Sequence, residues 1–462
     1  MPAIITKDFR IQNANQFSES FGESADTYYL AIGRPQAFAN DQAFNDGTDT
    51  SPPTPVDSVG SVDYYVYDDL MSAKKITSSN VSAVIPRRNW TTGTTYDYYR
   101  HDYGEINSAG TVIAANSGAT TLHDATFYVM NSTFDVYKVI DNNGNSASTV
   151  EPSGNKTTSV FSTGDSYKWK YMYTLTASEQ ANFMSTDFIH CSTESTDYST
   201  TAGAIEHAKV TAGGSSGTNG TYTNVDIRGD GSSGKATIVI GSNAVTSVTI
   251  TTAGSGYTYA SVKASDIGNV SGADIDFIIS PPGGHATDVI AELGGFFVMM
   301  NVDFATSESG EFNTSNDFRR IALLRNPTDS TTGATATAST LDATKSITFS
   351  GTPGSFQADE KITQASTGAV GYVVDFNSTT KVLRYIQPQF ANQGIDTNQN
   401  ATAFSGTNTV TGGTSSATGT PSSHDVTPEL TADTGDILYI ENRKPISRAS
   451  DQTENVKLIV EF

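Results

Sequence analysis

The stretch KATIVIGSNAVTSVTI, residues 235–250, is two runs of β-branched residues divided by Gly-Ser-Asn. Valine, isoleucine and threonine are stiff at χ1 and pack well on a pleated surface, while Gly and Asn tolerate the backbone of a tight reversal. The pattern predicts strand, turn, strand. Forty glycines and many Ser, Thr and Asn spread the same grammar along the chain. Numerous turns between short strands follow, and with them a mainly β chain.

The residues just before that turn pose a chemical question. In VDIRGDGSSGKATIVI, residues 225–240, Gly229, Gly234 and Lys235 have the GxxxxGK spacing of a phosphate-binding loop. Such a loop needs a Ser or Thr after the lysine for magnesium, and it must open a helix whose free amides hold the anion. Here Ala236 follows, and then a strand pattern. The expectation is a glycine-rich hairpin turn. Asp226, Asp230 and Gly231 imitate a stretch of a calcium loop, but Arg228 stands where a ligand oxygen belongs and Thr237 where the closing glutamate belongs. Arg228-Gly229-Asp230 is too short a tripeptide to mark adhesion.

With 462 residues there is room for two to four domains, and 36% hydrophobic with 10% aromatic residues is enough to build cores. A formal charge of −22 repels a nucleic-acid backbone over most of the surface, so no nucleic-acid partner is expected. The longest apolar run, GGFFVMM at 294–300, is far too short to span a bilayer, so no membrane partner is expected either. The N-terminal MPAIITKDFR lacks the basic and apolar regions of a signal peptide. Cys191 is the single cysteine, which excludes an internal disulfide and suits a reducing cytoplasm.

The first 190 residues are aromatic-rich, with helices expected in TKDFRIQNANQFSESFG, where Ala14, Phe17 and Phe21 share a face before Gly22, and at 61–75, where Val62, Tyr65, Val66 and Leu70 form a stripe. Repeated prolines in TSPPTPVDSVG demand extended chain. YKWKYMYTL at 167–175 alternates like a strand with one face buried. Thr176 and Glu179 then have capping-box spacing for a short helix. From 208 to 270 the sequence turns to glycine and threonine, and VTAGGSSGTNGTYTNV and ITTAGSGYTYASV look like two copies of one hairpin. TDSTTGATATAST has the composition of an exposed linker. Short strands separated by turns make a second β module over 341–415, and two strand candidates about a charged, proline-bearing connection close the chain.

No catalytic constellation stands out. His101, His123, His190, His207, His285 and His424 are scattered without zinc-ligand spacing. His190 and Cys191 are neighbours, but adjacent strand residues face opposite ways. His285, near Asp288 in PPGGHATD, fits a turn with a local hydrogen bond. No GxSxG elbow occurs. Catalytic, metal and cofactor sites are therefore expected to be absent. The scarce basic residues are more informative: VIPRRNW gathers Arg87, Arg88 and Trp90 beside a proline, and YIENRKPI carries Arg443. Arginine forks and an indole suit inter-subunit anchors. They equally suit neutralising local acids around a core tryptophan.

With these blocks the chain resembles the baseplate wedge subunit encoded by gene eight in T-even-type contractile-tailed bacteriophages. The resemblance rests on IGRPQAF, PPTPVDSV, AVIPRRNW, VYKVID, GDSYKWKYMYTL, FRRIALLRNP and LYIENRKPISRASDQTENVKLIVEF, in the family's order. Asn89 stands where an Asp is familiar, and Lys444 interrupts a proline pair before Pro445. The resemblance implies a non-enzymatic virion protein of the tail baseplate, assembled in the host bacterial cytoplasm. It implies a homodimer that joins other baseplate wedge subunits and takes part in the rearrangement that triggers sheath contraction. In that setting Arg87, Arg88, Trp90 and Arg443 are the expected interface residues. The rival is a receptor-binding or glycan-cleaving tail protein, since aromatic-rich β modules also bind carbohydrate.

The fold expected is a multi-layer β-sandwich core with a few short helices and two inserted β modules. Its divisions are a first core segment with N-terminal helices (1–207), module one (208–270), a second core segment (271–330), a linker (331–340), module two (341–415) and C-terminal core strands (416–462).

Overall fold

The computed structural model describes residues 3–38, 47–55, 66–107, 110–154, 156, 159–192, 201–388, 394–398 and 400–462, and within them the chain is mainly β. It forms two compact units, one of Met1–Gln16, Ser82–Met299 and Ile459–Phe462, the other of Phe17–Val81 and Met300–Leu458.

The second unit is organised on an antiparallel sheet in the order Thr340–Asp342, Leu70–Ile76, Tyr28–Gly33, Phe318–Arg325, Asp436–Ile446. YYLAIG and FRRIALLR lie at its centre, in register through Ala31 and Ala322, and their near-continuous apolar runs match burial on both faces. Two of the three arginines in the second run are held internally. Arg319 makes a fork to the carboxylate of Asp49 at 2.9 and 3.0 Å, and Arg320 donates to both oxygens of Asp69 at 2.8 Å.

The helix expected at 61–75 does not form over its second half. Among the described residues of this span only 66–68 are helical, and Leu70–Ile76 is a strand between two others; Val62 and Tyr65 lie outside the described residues. Val66 and Leu70 are both buried, as the stripe required. Strand partners on both sides outweigh a local periodicity that rests on only four residues. The proline of the C-terminal block also sits differently: Pro445 lies within Asp436–Ile446, an edge strand, where the missing N–H is tolerated.

Residues of the expected linker are ordered pairing elements. Ala334–Thr335 pairs with Thr328–Asp329, Ala336 is fully buried, and Thr340–Asp342 joins the sheet edge. Next comes a closed six-stranded barrel in the order Lys345–Ser350, Val382–Ile386, Ala369–Asn377, Lys361–Gln364, Val410–Gly412, Thr418–Asp425. Its core is Ile347, Phe349, Ile362, Val373, Leu383, Tyr385 and Phe404. The closing strand runs on to Asp425, ten residues past 415. Beyond it the Leu430 N–H donates to the Asp342 carbonyl at 3.0 Å, which pins the chain where it leaves the barrel to where it entered.

In the first unit, Tyr128–Met130, Asp135–Asp141, Lys168–Thr174 and Phe161–Ser162 make a four-stranded sheet. Lys168–Thr174 is the strand expected from YKWKYMYTL, but Trp169 through Tyr173 are buried on both faces. Polar Lys170 had suggested a wet face; it is buried instead beside a carboxylate. Thr176 caps Ala177–Phe183, and both halves of the capping box are made. The N-terminal helix spans Lys7–Ser20, with Ile11 and Ala14 buried.

Lys235–Gly241 and Ala244–Thr252 form the expected hairpin, turning through Ser242 and Asn243 at φ 52° and 64°. The duplicated hairpin does not form. Ile205–Ser215 pairs with Ser271–Ile279, Gly220–Asp226 with Lys235–Gly241, and Arg228–Gly229 with Ala260–Ser261. The two similar segments share a turn grammar, but neither folds back on itself: their strands pair with elements outside the repeat.

Candidate functional site

The chain leaves strand Val81–Pro86 through Arg87, Arg88, Asn89 and Trp90. Arg87 donates from Nη1 to the Ser185 carbonyl at 2.8 Å and from Nε to Asn89 Oδ1 at 3.0 Å. Arg88 lies over the Tyr128 ring, 4.6 Å from its centroid, and donates to the carbonyls of Ala125 and His123. Trp90 packs on the cluster of Tyr96, Val129, Tyr137, Tyr167 and Trp169, and its Nε1–H reaches Ser148 Oγ at 3.0 Å. These three residues are brought together, with donors turned inward to neighbouring carbonyls and a hydroxyl. Arg443 belongs to the other unit. Its side chain is 47% exposed and its Nε is 3.2 Å from Glu441 on the same strand.

The GxxxxGK loop is filled by protein. A Cβ at Gly231 would stand 2.4 Å from Tyr257 Cγ, and one at Gly234 2.8 Å from the Tyr257 hydroxyl. The glycines are there because an aromatic ring lies against them. The remaining charges of the loop are used locally: Lys235 pairs with Asp226, Arg228 with Asp266 at 2.8 Å, and Asp230 accepts Thr258 N–H at 2.8 Å and its hydroxyl at 2.6 Å. The Thr258 hydrogen bonds push the Asp230 carboxyl down to about 2.

Two titratable constellations in the first unit had no signature in sequence. Ser82 Oγ lies 2.6 Å from His190 Nδ1, and His190 Nε2 lies 3.2 Å from Glu179 Oε1. The order is that of hydroxyl, base and carboxylate. Ser82 is only 9% exposed on its strand, and the second oxygen of Glu179 accepts the Thr176 N–H at 2.8 Å in the capping box. The row ties helix Ala177–Phe183 to two strands. Cys191 points the other way, its thiol fully buried and 3.7 Å from the Val289 carbonyl; burial raises its pKa well above the thiol range. The strand geometry thus separates it from His190, as adjacency implied.

The second constellation is ionic. Lys138, on Asp135–Asp141, has no exposed surface; its Nζ is 2.5 Å from Glu292 Oε1, 3.7 Å from Glu206 Oε2 and 4.2 Å from the Tyr99 ring centroid. Lys170 Nζ is 2.8 Å from Glu206 Oε1. His285, expected as a turn residue with a local hydrogen bond, is fully buried, with Nδ1 3.3 Å from Glu292 Oε1 and Nε2 2.9 Å from the Tyr171 carbonyl. Ala286 N–H donates to Glu292 Oε2 at 2.7 Å. Asp288 caps Val289–Leu293, the short helix that carries Glu292. Burial pulls the Lys138 ammonium down, but the Glu206 and Glu292 carboxylates outweigh it and leave its pKa raised. Burial likewise raises the two carboxyls, and Lys138, the first of their partners, brings both below the ordinary range. Among the described residues no group of three or more His, Cys, Asp or Glu side chains is placed to hold a metal ion, and no helix is long and apolar enough to cross a membrane.

Comparison with known proteins bears on the region around Arg87 to Trp90. The family model described as Bacteriophage T4, Gp8 matches residues 3–149, about a third of the chain. That span holds IGRPQAF, PPTPVDSV, AVIPRRNW and VYKVID; the three later blocks lie beyond it. The baseplate wedge protein gp8 of Enterobacteria phage T4 is 33% identical over 91 residues, which is 19% of this chain and 26% of that relative's length. The aligned stretch thus spans about a quarter of the relative. The resemblance to the Gp8-type baseplate wedge subunit is shown for the N-terminal region of this chain, residues 3–149.

Proposed function

We propose that the whole chain is a structural subunit of a contractile phage tail baseplate, a wedge protein that acts through its interfaces. The observation that carries this is the family match over 3–149, which includes the Pro-Arg-Arg-Asn-Trp block. In this proposal the chain forms a homodimer, binds other wedge subunits and shifts against them when the baseplate rearranges and the sheath contracts. Arg87, Arg88 and Trp90 support the shape of one contact surface from within, because their donors are turned to Ser185, Ala125, His123 and Ser148. Arg443, half exposed on an edge strand, is the residue of the four best placed to meet another chain directly.

Mass spectrometry of purified phage particles, with light scattering of the isolated chain, tests the proposal. Expected are the chain in the tail fraction and a solution mass of two copies. Particles that lack the chain would sink the baseplate role, and a monomer at micromolar concentration would sink the homodimer.

A further inference from the structure

The Lys138 site is more than a buried ion pair. Two charges are taken wholly out of water, an arrangement whose desolvation penalty commonly exceeds the attraction gained. A third group, Glu206, is aimed at the same nitrogen. Its Oε2 is buried, has no hydrogen-bond partner and faces Lys138 Nζ at 3.7 Å. A buried carboxylate oxygen without a partner is costly, and its position beside an amine and a second carboxyl has a chemical use.

We propose that Lys138 and Glu292 are the partners of an autocatalytic isopeptide cross-link, with Glu206 as the proton carrier. One ammonium proton of Lys138 passes along the 2.5 Å contact to Glu292 Oε1, giving an amine and a carboxylic acid as a minor state that the attack then consumes. The amine nitrogen attacks Glu292 Cδ, forming the N–C bond. Negative charge gathers on Oε2, which already accepts the Ala286 N–H at 2.7 Å, a fixed donor at the oxygen that becomes the amide carbonyl. Glu206 Oε2 takes the second nitrogen proton and returns it to Oε1 as the Cδ–Oε1 bond breaks. One water leaves, one proton stays on the amide nitrogen, and Glu206 ends as the carboxylate it was. Atoms and charge balance without any co-reactant. The product removes one positive and one negative charge from the core and leaves Lys170 and Glu206 as a pair at 2.8 Å. The bond would join strand Asp135–Asp141 to helix Val289–Leu293, elements 154 positions apart at the bonded residues.

The test is the intact mass of the full chain after denaturation, followed by tryptic mapping. The expected result is a mass lower than the sequence by one water, and a branched peptide joining the Lys138 and Glu292 segments. A mass equal to the sequence, with both linear peptides recovered in full, overturns the proposal. Glu206→Gln separates the proton carrier from the bond itself: a folded variant with the full sequence mass is expected, and a folded variant still cross-linked overturns the role of Glu206. If that variant does not fold, the wild-type mass alone decides.

Discussion

The hydroxyl of Tyr257 accepts the backbone N–H of Gly234 at 3.1 Å and donates to the Ile227 carbonyl at 3.0 Å. One side chain thereby closes the loop whose spacing imitates a phosphate site. Its ring occupies the ground where a phosphate-binding loop would keep room for anion oxygens. Gly231→Ala is expected to cost about 1–3 kcal/mol by overpacking against that ring, seen as a lowered midpoint in chemical denaturation. Titration with ATP and magnesium should give no heat above dilution; saturable binding would contradict the packing argument.

Arg88 and Arg443 should behave oppositely on mutation. Arg88→Ala removes donors from two carbonyls and a cation from over Tyr128, and is expected to lower stability by about 1–3 kcal/mol. Arg443→Ala breaks only a half-exposed pair with Glu441 and should change stability by less than about 0.5 kcal/mol. If Arg443 meets a neighbouring chain, its loss should weaken co-purification with wedge subunits while the melting curve stays put. Unchanged co-purification would remove it from the interface.

Asp97 provides a pH signature. Burial alone would raise its carboxyl, but hydrogen bonds from Ser117 and Thr126, two from each residue, more than offset that and hold the pKa below the usual range. A depressed folded-state pKa contributes stability above the unfolded value of about 4, and the contribution fades as pH falls through the folded value. Asp97→Asn should therefore cost about 2–3 kcal/mol at neutral pH. The gap between variant and wild type should narrow in denaturation curves taken progressively below about pH 4. A gap independent of pH would contradict this assignment.

Thr176→Ala should remove one half of the capping box and cost about 1 kcal/mol, measured by denaturation. Because Glu179 also meets His190, the loss should be smaller in a His190→Ala background if the two contacts share the same ordering of the Glu179 side chain.

What could be read in the sequence was set by short-range chemistry. The Ser242–Asn243 turn and the capping box at Thr176 follow from neighbours within a few positions. Residues 61–75 misled because Val66 and Leu70 satisfy a helical stripe and a buried strand equally, and only the partners of Leu70–Ile76 decide. The duplicated turn grammar in 208–270 was visible, but pairing between distant strands was not. The Lys138, Glu206 and Glu292 site lay beyond reach for the same reason. Its members come from a strand, a second strand and a five-residue helix, and no spacing rule links them. Lys170 held a faint clue, as a charge within a run that is otherwise aromatic and apolar.

The hydrogen bond from Leu430 to Asp342 has a consequence for how this chain can be altered. Departure and return meet at one point on the sheet, so the segment between them is closed by a short stem, and the cost of closing that loop depends only weakly on its length. A closed barrel also presents no open strand edge that must find a partner. The segment from Lys345 to Asp425 is in effect a cassette: a reporter domain, a shorter hairpin or a permuted barrel could be spliced there without rethreading a single strand of the sheet that carries it.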